Sequence, residues 1–142
     1  MQRESVAKIL ILNDQDEVLV LRIGEYEGYP EKSHKPDLPG GLVDPGESEH
    51  QGVVREVLEE TGIILEPQDV TLVYAETAAY TNENKSVSKL LYVARLNHTP
   101  KVVVSWEHES YEWCPLANVI ETHEFRPFYK RAIEYSRNNQ LT

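Results

Sequence analysis

Apolar positions in this chain fall in short blocks separated by polar turns. Val6–Leu12 (VAKILIL) and Val18–Arg22 (VLVLR) flank the polar NDQDE, a pattern that predicts two strands joined by a turn. Asp14 and Asp16 do not make that turn a calcium loop, because the glycine and terminal glutamate of such a loop are missing. Val70–Tyr74, Val87–Leu96 and Lys101–Trp106 (KVVVSW) are rich in β-branched and apolar residues and are predicted as strands. The period changes twice. Ser48 opens a helix, with Gln51 three residues on completing a capping box and Gly62 closing it. From Leu116 the pattern turns helical again, and Phe125, Phe128, Tyr129, Ala132, Ile133 and Tyr135 give a C-terminal helix its apolar face. Ile23–Asp37 is a long loop dense in Gly, Pro and Tyr, of a length often tied to function in compact domains. Strands, a helix, strands and a helix predict an α/β fold, a mixed sheet with helices packed on it.

The first helix raises a question of charge. Setting Glu56 at 0° and advancing about 100° per residue, Glu60 falls near ~40°, Glu59 near ~300° and Glu49 near ~20°. Val54, Val57, Leu58 and Thr61 take the opposite side. Like charges at this spacing repel, by roughly 0.2–0.5 kcal/mol per pair. Gly52 sits on the acidic side, where a mid-helix glycine costs about 1 kcal/mol against alanine and hints at a close approach. A solvated acidic face is the ordinary reading of such a run. The preceding residues shift it: Leu38-Pro39-Gly40-Gly41 is a turn whose carbonyls can approach an ion, and Asp44-Pro45-Gly46-Glu47 brings another carboxylate to the helix start. Clustered oxygen ligands suit Mg²⁺ or Mn²⁺, which in turn hold phosphates.

Composition narrows the partners. A formal net charge of −10 leaves no basic stripe for duplex nucleic acid, but permits a small anionic ligand bridged by a cation. At 142 residues the chain fits one domain, expected over 1–142, able to bury roughly 68–70% of its unfolded surface without a disulfide or structural metal. Cys114 is alone, and no apolar run approaches a membrane span or a signal peptide, so a cytoplasmic protein is expected. The sequons at Asn84 and Asn97 are then chance matches.

Gly41, Glu47 and the run Arg55-Glu56-Val57-Leu58-Glu59-Glu60-Thr61-Gly62-Ile63 resemble the Nudix box, G-x5-E-x7-R-E-U-x-E-E-x-G-U, at every specified position. The resemblance implies an α/β/α sandwich around a central mixed sheet and metal-dependent hydrolysis of a diphosphate linked to another moiety. It implies Glu59 and Glu60 as main metal ligands with the Gly41 carbonyl. Glu56 would be a further ligand or the base, and Arg55 would orient it. Glu47 would pair with Arg55, and both of these would be more structural than chemical. Trp106-Glu107-His108-Glu109-Ser110-Tyr111-Glu112-Trp113 is similar to an E-H-x-x-Y-x-W stretch of many relatives, making Glu107 a candidate ligand or base with Glu109 second. His108 is expected to hydrogen-bond within its loop, and Tyr111 and Trp113 to belong to the core.

Substrate choice is less legible. No proline of the kind carried by ADP-ribose hydrolases stands in Thr77–Tyr80, and the NADH-hydrolase signature is missing. Tyr80 lies near where dinucleoside polyphosphate hydrolases carry a tyrosine. Where many relatives have tryptophan before LPGG, this chain has Lys35-Pro36-Asp37. Tyr26 and Tyr29 would stack on a base or cover the loop's own apolar side, and Arg22, Lys35 and Lys89 would contact phosphate or be ordinary surface charge. A nucleoside triphosphate or dinucleoside polyphosphate is the expected substrate. The alternatives are a nucleotide-sensing domain without catalysis and an acidic scaffold; the Tyr-rich loop would serve a homodimer equally.

Overall fold

The computed structural model describes residues 1–142. Seven strands form one mixed sheet: β1 (Gln2–Leu12), β2 (Glu17–Ile23), β3 (Pro36–Asp37), β4 (Gly40–Leu42), β5 (Thr71–Tyr80), β6 (Lys85–Arg95) and β7 (His108–Pro115). The main order is β3-β2-β1-β6-β5, with β4 on β1 and β7 on β2. Only β1 and β6 run parallel, paired from Gln2↔Lys85 to Leu12↔Arg95. Helix α1 (Glu49–Thr61) covers one face; α2 (Val119–Thr122) and α3 (Pro127–Asn138) cover the other.

Both faces of β1 are therefore buried at its C-terminal half, which explains why Ile9, Leu10, Ile11 and Leu12 are all apolar. Ile9 and Ile11 pack with Val53 and Val57 of α1, while Leu10 and Leu12 pack with Phe128, Tyr129, Ala132 and Ile133. After the single pair Leu12↔Val18, β1 leaves β2 and takes β4 as its neighbour at Val6–Lys8. The turn before β4 seats there: the Ile9 N–H donates to the Pro39 carbonyl at 3.0 Å. Helix α1 is punctuated as its sequence predicts. Ser48 Oγ accepts from the Gln51 N–H, the Gln51 side chain accepts from the Ser48 N–H, and Gly62 caps the end at φ 76°.

Several expectations are corrected. Lys101–Trp106 is not a strand, because its N–H groups serve the helix end instead: Val103 and Ser105 donate to the carbonyls of Thr61 and Glu60 at 3.0 and 3.2 Å. Those carbonyls lack partners inside α1, and satisfying them outweighs a sheet neighbour. The next strand is β7, beginning at His108. Leu58 is half exposed although the wheel puts it on the apolar side, and Glu60 on the acidic side is buried. Tyr135 is also half exposed, leaning on the Tyr74 ring, while Ser136 takes the buried position. Phe125 is buried but precedes α3, and Tyr111 is exposed rather than core. Trp113 packs partly against the α1-side core. No helix is long and apolar enough to cross a membrane.

Candidate active site

A cleft of about 630 Å³ opens where the β4 turn, the side of α1, the loop before β7 and the start of α3 meet. Gly41, Glu56, Glu60 and Glu107 are among its lining residues. Helix α1 supplies Glu56 and Glu60 one turn apart, and their direction follows from α1's apolar stripe facing the sheet. The Gly40 N–H donates to Glu60 Oε1 at 2.7 Å. A Cβ on Gly41 would lie 2.9 Å from the Glu56 carboxyl carbon, so only glycine lets this backbone pass so near. Glu107 arrives by the docking described above, since Ser105 is bonded to Glu60 and the Gly24 N–H donates to the Glu107 carbonyl at 3.0 Å.

Burial pushes both cleft carboxyls of α1 up. Glu60 is raised to about 7, even though Lys8 and the Gly40 N–H work in the other direction. Glu56 rises for the same reason, with Arg55 opposing it. Arg55 organises the acidic face: Nη2 lies 2.7 Å from Glu47 Oε1, Nη1 is 3.2 Å from both Glu56 and Glu59, and Nη2 also donates to the Leu42 carbonyl. Glu47 thus clamps Arg55 against α1. Gly52 is explained by the same turn, because a Cβ there would press on Val43 and Glu47 at 3.0 and 3.1 Å.

Not every candidate converges. Glu59 points outward to Arg55 and does not line the cleft. Neither do Arg22, Tyr26 or Tyr80. Arg22 donates to the His34 carbonyl, Tyr26 stacks with Tyr29 under Lys32, and Tyr80 stands exposed at the end of β5. Glu109 reaches His34, and Lys35 reaches Glu124, both outside the cleft. Lys89 does line it.

The floor is a buried polar cluster that sequence reading missed. Lys8 Nζ donates to Asp37 Oδ1 at 3.2 Å and to the carbonyls of Leu38 and Gly40 at 3.1 and 2.9 Å. The Tyr129 hydroxyl donates to Asp37 Oδ1 at 2.5 Å, and His108 Nε2 lies 2.9 Å from Asp37 Oδ2. Burial alone would raise the Asp37 carboxyl, but the Lys8 charge and the bonds from His108 and Tyr129 hold it well below the usual carboxylate range. An ionised Asp37 has no proton to give, so His108 Nε2 donates. A lysine within an apolar strand and an aspartate before LPGG were the available signals; neither carries meaning until the fold brings them together.

The donor set fits a hard divalent ion. No three acid, histidine or cysteine side chains form a ready cage. Mg²⁺ does not need one, since it keeps several waters and takes one or two carboxylates plus phosphate oxygens. The two carboxyls with raised pKa facing the cleft meet that requirement.

A family model described as the NUDIX domain matches residues 1–135. The chain is 35% identical over 97 residues to an asymmetrical bis(5'-nucleosyl)-tetraphosphatase of Caenorhabditis elegans, covering 68% of this chain and 69% of that protein. The crystal structure of a MutT protein from Methanosarcina mazei Go1 superposes with a TM-score of 0.79 at 29% identity, covering 98% and 96% of the two chains. A C. elegans Ap4A hydrolase binary complex gives 0.71 at 26%, covering 97% and 98%. Against three curated relatives, the matched stretch spans 69%, 33% and 60% of their length.

Proposed function

The chain belongs to the Nudix hydrolases, whose members act on phosphoric anhydride bonds, and from that premise we propose that it is a Mg²⁺-dependent pyrophosphohydrolase of small nucleotide-type diphosphates. A nucleoside triphosphate or a dinucleoside polyphosphate is the substrate this reading favours. The observation that carries it is the pair Glu56 and Glu60, two carboxyls raised by burial and facing one cleft beside Gly41. A single domain over 1–142 working in the cytoplasm belongs to the same proposal.

Glu56 and Glu60 would hold the ion with the Gly41 carbonyl, and Glu59 would add its carboxylate from the rim, where Arg55 now holds it. Mn²⁺ would serve in place of Mg²⁺. When bound, the ion supplies charge neutralisation of the phosphates and acidification of a bound water. In the reaction the water oxygen bonds to phosphorus as the bridging P–O bond breaks. The departing phosphate keeps the electron pair, and the water's proton passes to a carboxylate and then to solvent. Glu56 and Glu107 are the two carboxylates on the cleft wall able to take that proton. Arg55, clamped by Glu47, keeps Glu56 oriented, and Gly62 ends α1 so that Ser105 can dock.

The test is hydrolysis with Mg²⁺ of a panel containing nucleoside triphosphates, dinucleoside polyphosphates, nucleotide sugars and ADP-ribose, with Glu60→Gln and Glu59→Gln beside the wild type. Turnover of one class that falls at least about 100-fold in Glu60→Gln is expected. Wild-type turnover in both variants sinks the site. Binding of nucleotide without turnover by the wild type replaces catalysis with sensing.

A further inference from the structure

The cleft that holds these carboxylates is also lined by cations. Lys89 of β6 and Arg126, at the entry to α3, line it together with Lys32 and Arg131. In a chain of net charge −10, acidic side chains outnumber basic ones, and two of the cations at this cleft are held by carboxylates. Lys8 is held by Asp37, and Arg131 grips Glu76 with bonds of 2.6 and 3.2 Å. Lys89 faces that same Glu76 across the β5–β6 pair, yet Glu76 is already taken by Arg131 and by the Tyr74 hydroxyl. Lys89 Nζ makes no ion pair or hydrogen bond and stands over the Phe128 ring, 5.8 Å from its centre. Arg126 spends only Nη2, on the Tyr129 hydroxyl at 3.2 Å, with Asp37 3.7 Å away and already accepting from Lys8, Tyr129 and His108. Its Nη1 has no partner.

The lining of the cleft offers no open ring for a base. Phe128 and Tyr129 are its aromatic side chains, both buried, with Lys89 over one and Arg126 over the other. Stacking on a nucleobase needs an open ring face. A lysine without an ion pair, and a guanidinium fork whose one carboxylate neighbour at 3.7 Å already accepts three other bonds, suit phosphate oxygens.

We propose that Lys89 and Arg126 form a phosphate subsite in the cleft that Glu56 and Glu60 line, so that the substrate is a diphosphate extended by at least one further phosphoryl group and chosen by its charge rather than by its base. This rests on the hydrolase reading for what happens to the bond, but not for binding. The diphosphate lies against the carboxylate wall and its ion, and the added phosphoryl group reaches the cations. A sugar in that place leaves both cations unmatched, so nucleotide sugars and ADP-ribose are poor substrates. The cations also give an acidic molecule a local attraction for a polyanion.

The experiment uses the full chain with Lys89→Ala, Arg126→Ala, the double variant and Trp106→Ala, each first checked for an unchanged thermal melt. Trp106, beside Glu107, is 87% exposed and is the rival platform for a base. Kinetics with Mg²⁺ compare ATP, CTP and ADP-ribose; calorimetry separately measures binding of inorganic tripolyphosphate. The ratio of kcat/KM for ATP to that for ADP-ribose should fall about tenfold for each charge-assisted contact removed. ATP and CTP should be turned over with similar efficiency, and the double variant should lose tripolyphosphate binding. A selectivity ratio unchanged in the double variant overturns the proposal, as does base discrimination that disappears in Trp106→Ala. Loss of tripolyphosphate binding without turnover of any substrate by the wild type retains the subsite and rejects the hydrolase reading. Tripolyphosphate binding undisturbed in the double variant rejects the subsite whatever the turnover.

Discussion

Asp37 holds the floor of the cleft together, since it joins Lys8 of β1, His108 at the start of β7 and Tyr129 of α3. Breaking a buried ion pair by removing one partner leaves a charge without compensation, at a cost of about 3–5 kcal/mol. Asp37→Asn should therefore destabilise the chain by an amount in that range, measured by denaturant melts. Lys8→Met should do likewise, for it also frees the carbonyls of Leu38 and Gly40. If the pair acts as a unit, the double variant costs clearly less than the sum of the singles. Strict additivity would mean that the two residues stabilise independently. Lys8 also touches chemistry at one remove. It bonds the Gly40 carbonyl, whose own N–H bonds Glu60, so Lys8→Met should weaken Mg²⁺ binding as well as the fold. A Mg²⁺ affinity equal to wild type in the folded variant would confine Lys8 to the fold.

At the level of elements, the β4 turn is where the chain tolerates least. Gly40 has φ 123°, and a Cβ there would fall 2.0 Å from the Ala7 carbonyl oxygen. Gly40→Ala should cost more than about 2 kcal/mol, since both the backbone conformation and the β1 contact must yield. Gly62→Ala, strained only by its φ of 76° and with open space around it, should cost about 1 kcal/mol. Comparable losses in the two variants, read by thermal melts, would contradict this ranking. The sequence carried these punctuation marks openly: the capping box at Ser48, Gly62 and the glycine pair depend on neighbours in the chain, and local chemistry reports them. The acidic face of α1 was legible for the same reason, because helical spacing alone brings Glu56 and Glu60 together. KVVVSW was misread because its β-branched residues suit a strand equally well. Its actual partners, the carbonyls of Thr61 and Glu60, stand 40 or more positions upstream. Leu58 and Glu60 exchanged their expected environments because the covering of α1 depends on the β4 turn as well as on helix phase. Asp37, Lys8 and Tyr129 come from positions 37, 8 and 129, and no local pattern links them.

For the whole molecule, the floor and the carboxylate wall pull stability in opposite directions along the pH axis. Asp37 is held below its ordinary value of 3.8, so its contribution is complete above that pH and is lost as pH falls towards its folded value. Glu60 behaves inversely. Its folded value is raised from 4.5 to about 7, so the stability it contributes is complete below 4.5 and is lost as pH rises through about 7. Glu56, also raised, adds a slope of the same sign. Without divalent ions, the stability of the chain should pass through a maximum in mildly acidic solution, decline up to about pH 7 at a rate on the order of 1 kcal/mol per pH unit, and level off above it. An ion that binds ionised carboxylates reverses that decline, because it stabilises the charged forms that burial disfavours. Melting temperatures from pH 5 to 8.5, with and without Mg²⁺, should diverge as pH rises, and Glu60→Gln should remove most of the divergence. A Mg²⁺ shift that is equal at pH 5 and pH 8.5 would place the ion elsewhere than at these carboxylates. One that survives intact in Glu60→Gln would say the same of Glu60. The carboxylate charge that burial disfavours in the cleft is then the charge that the ion and the phosphates require.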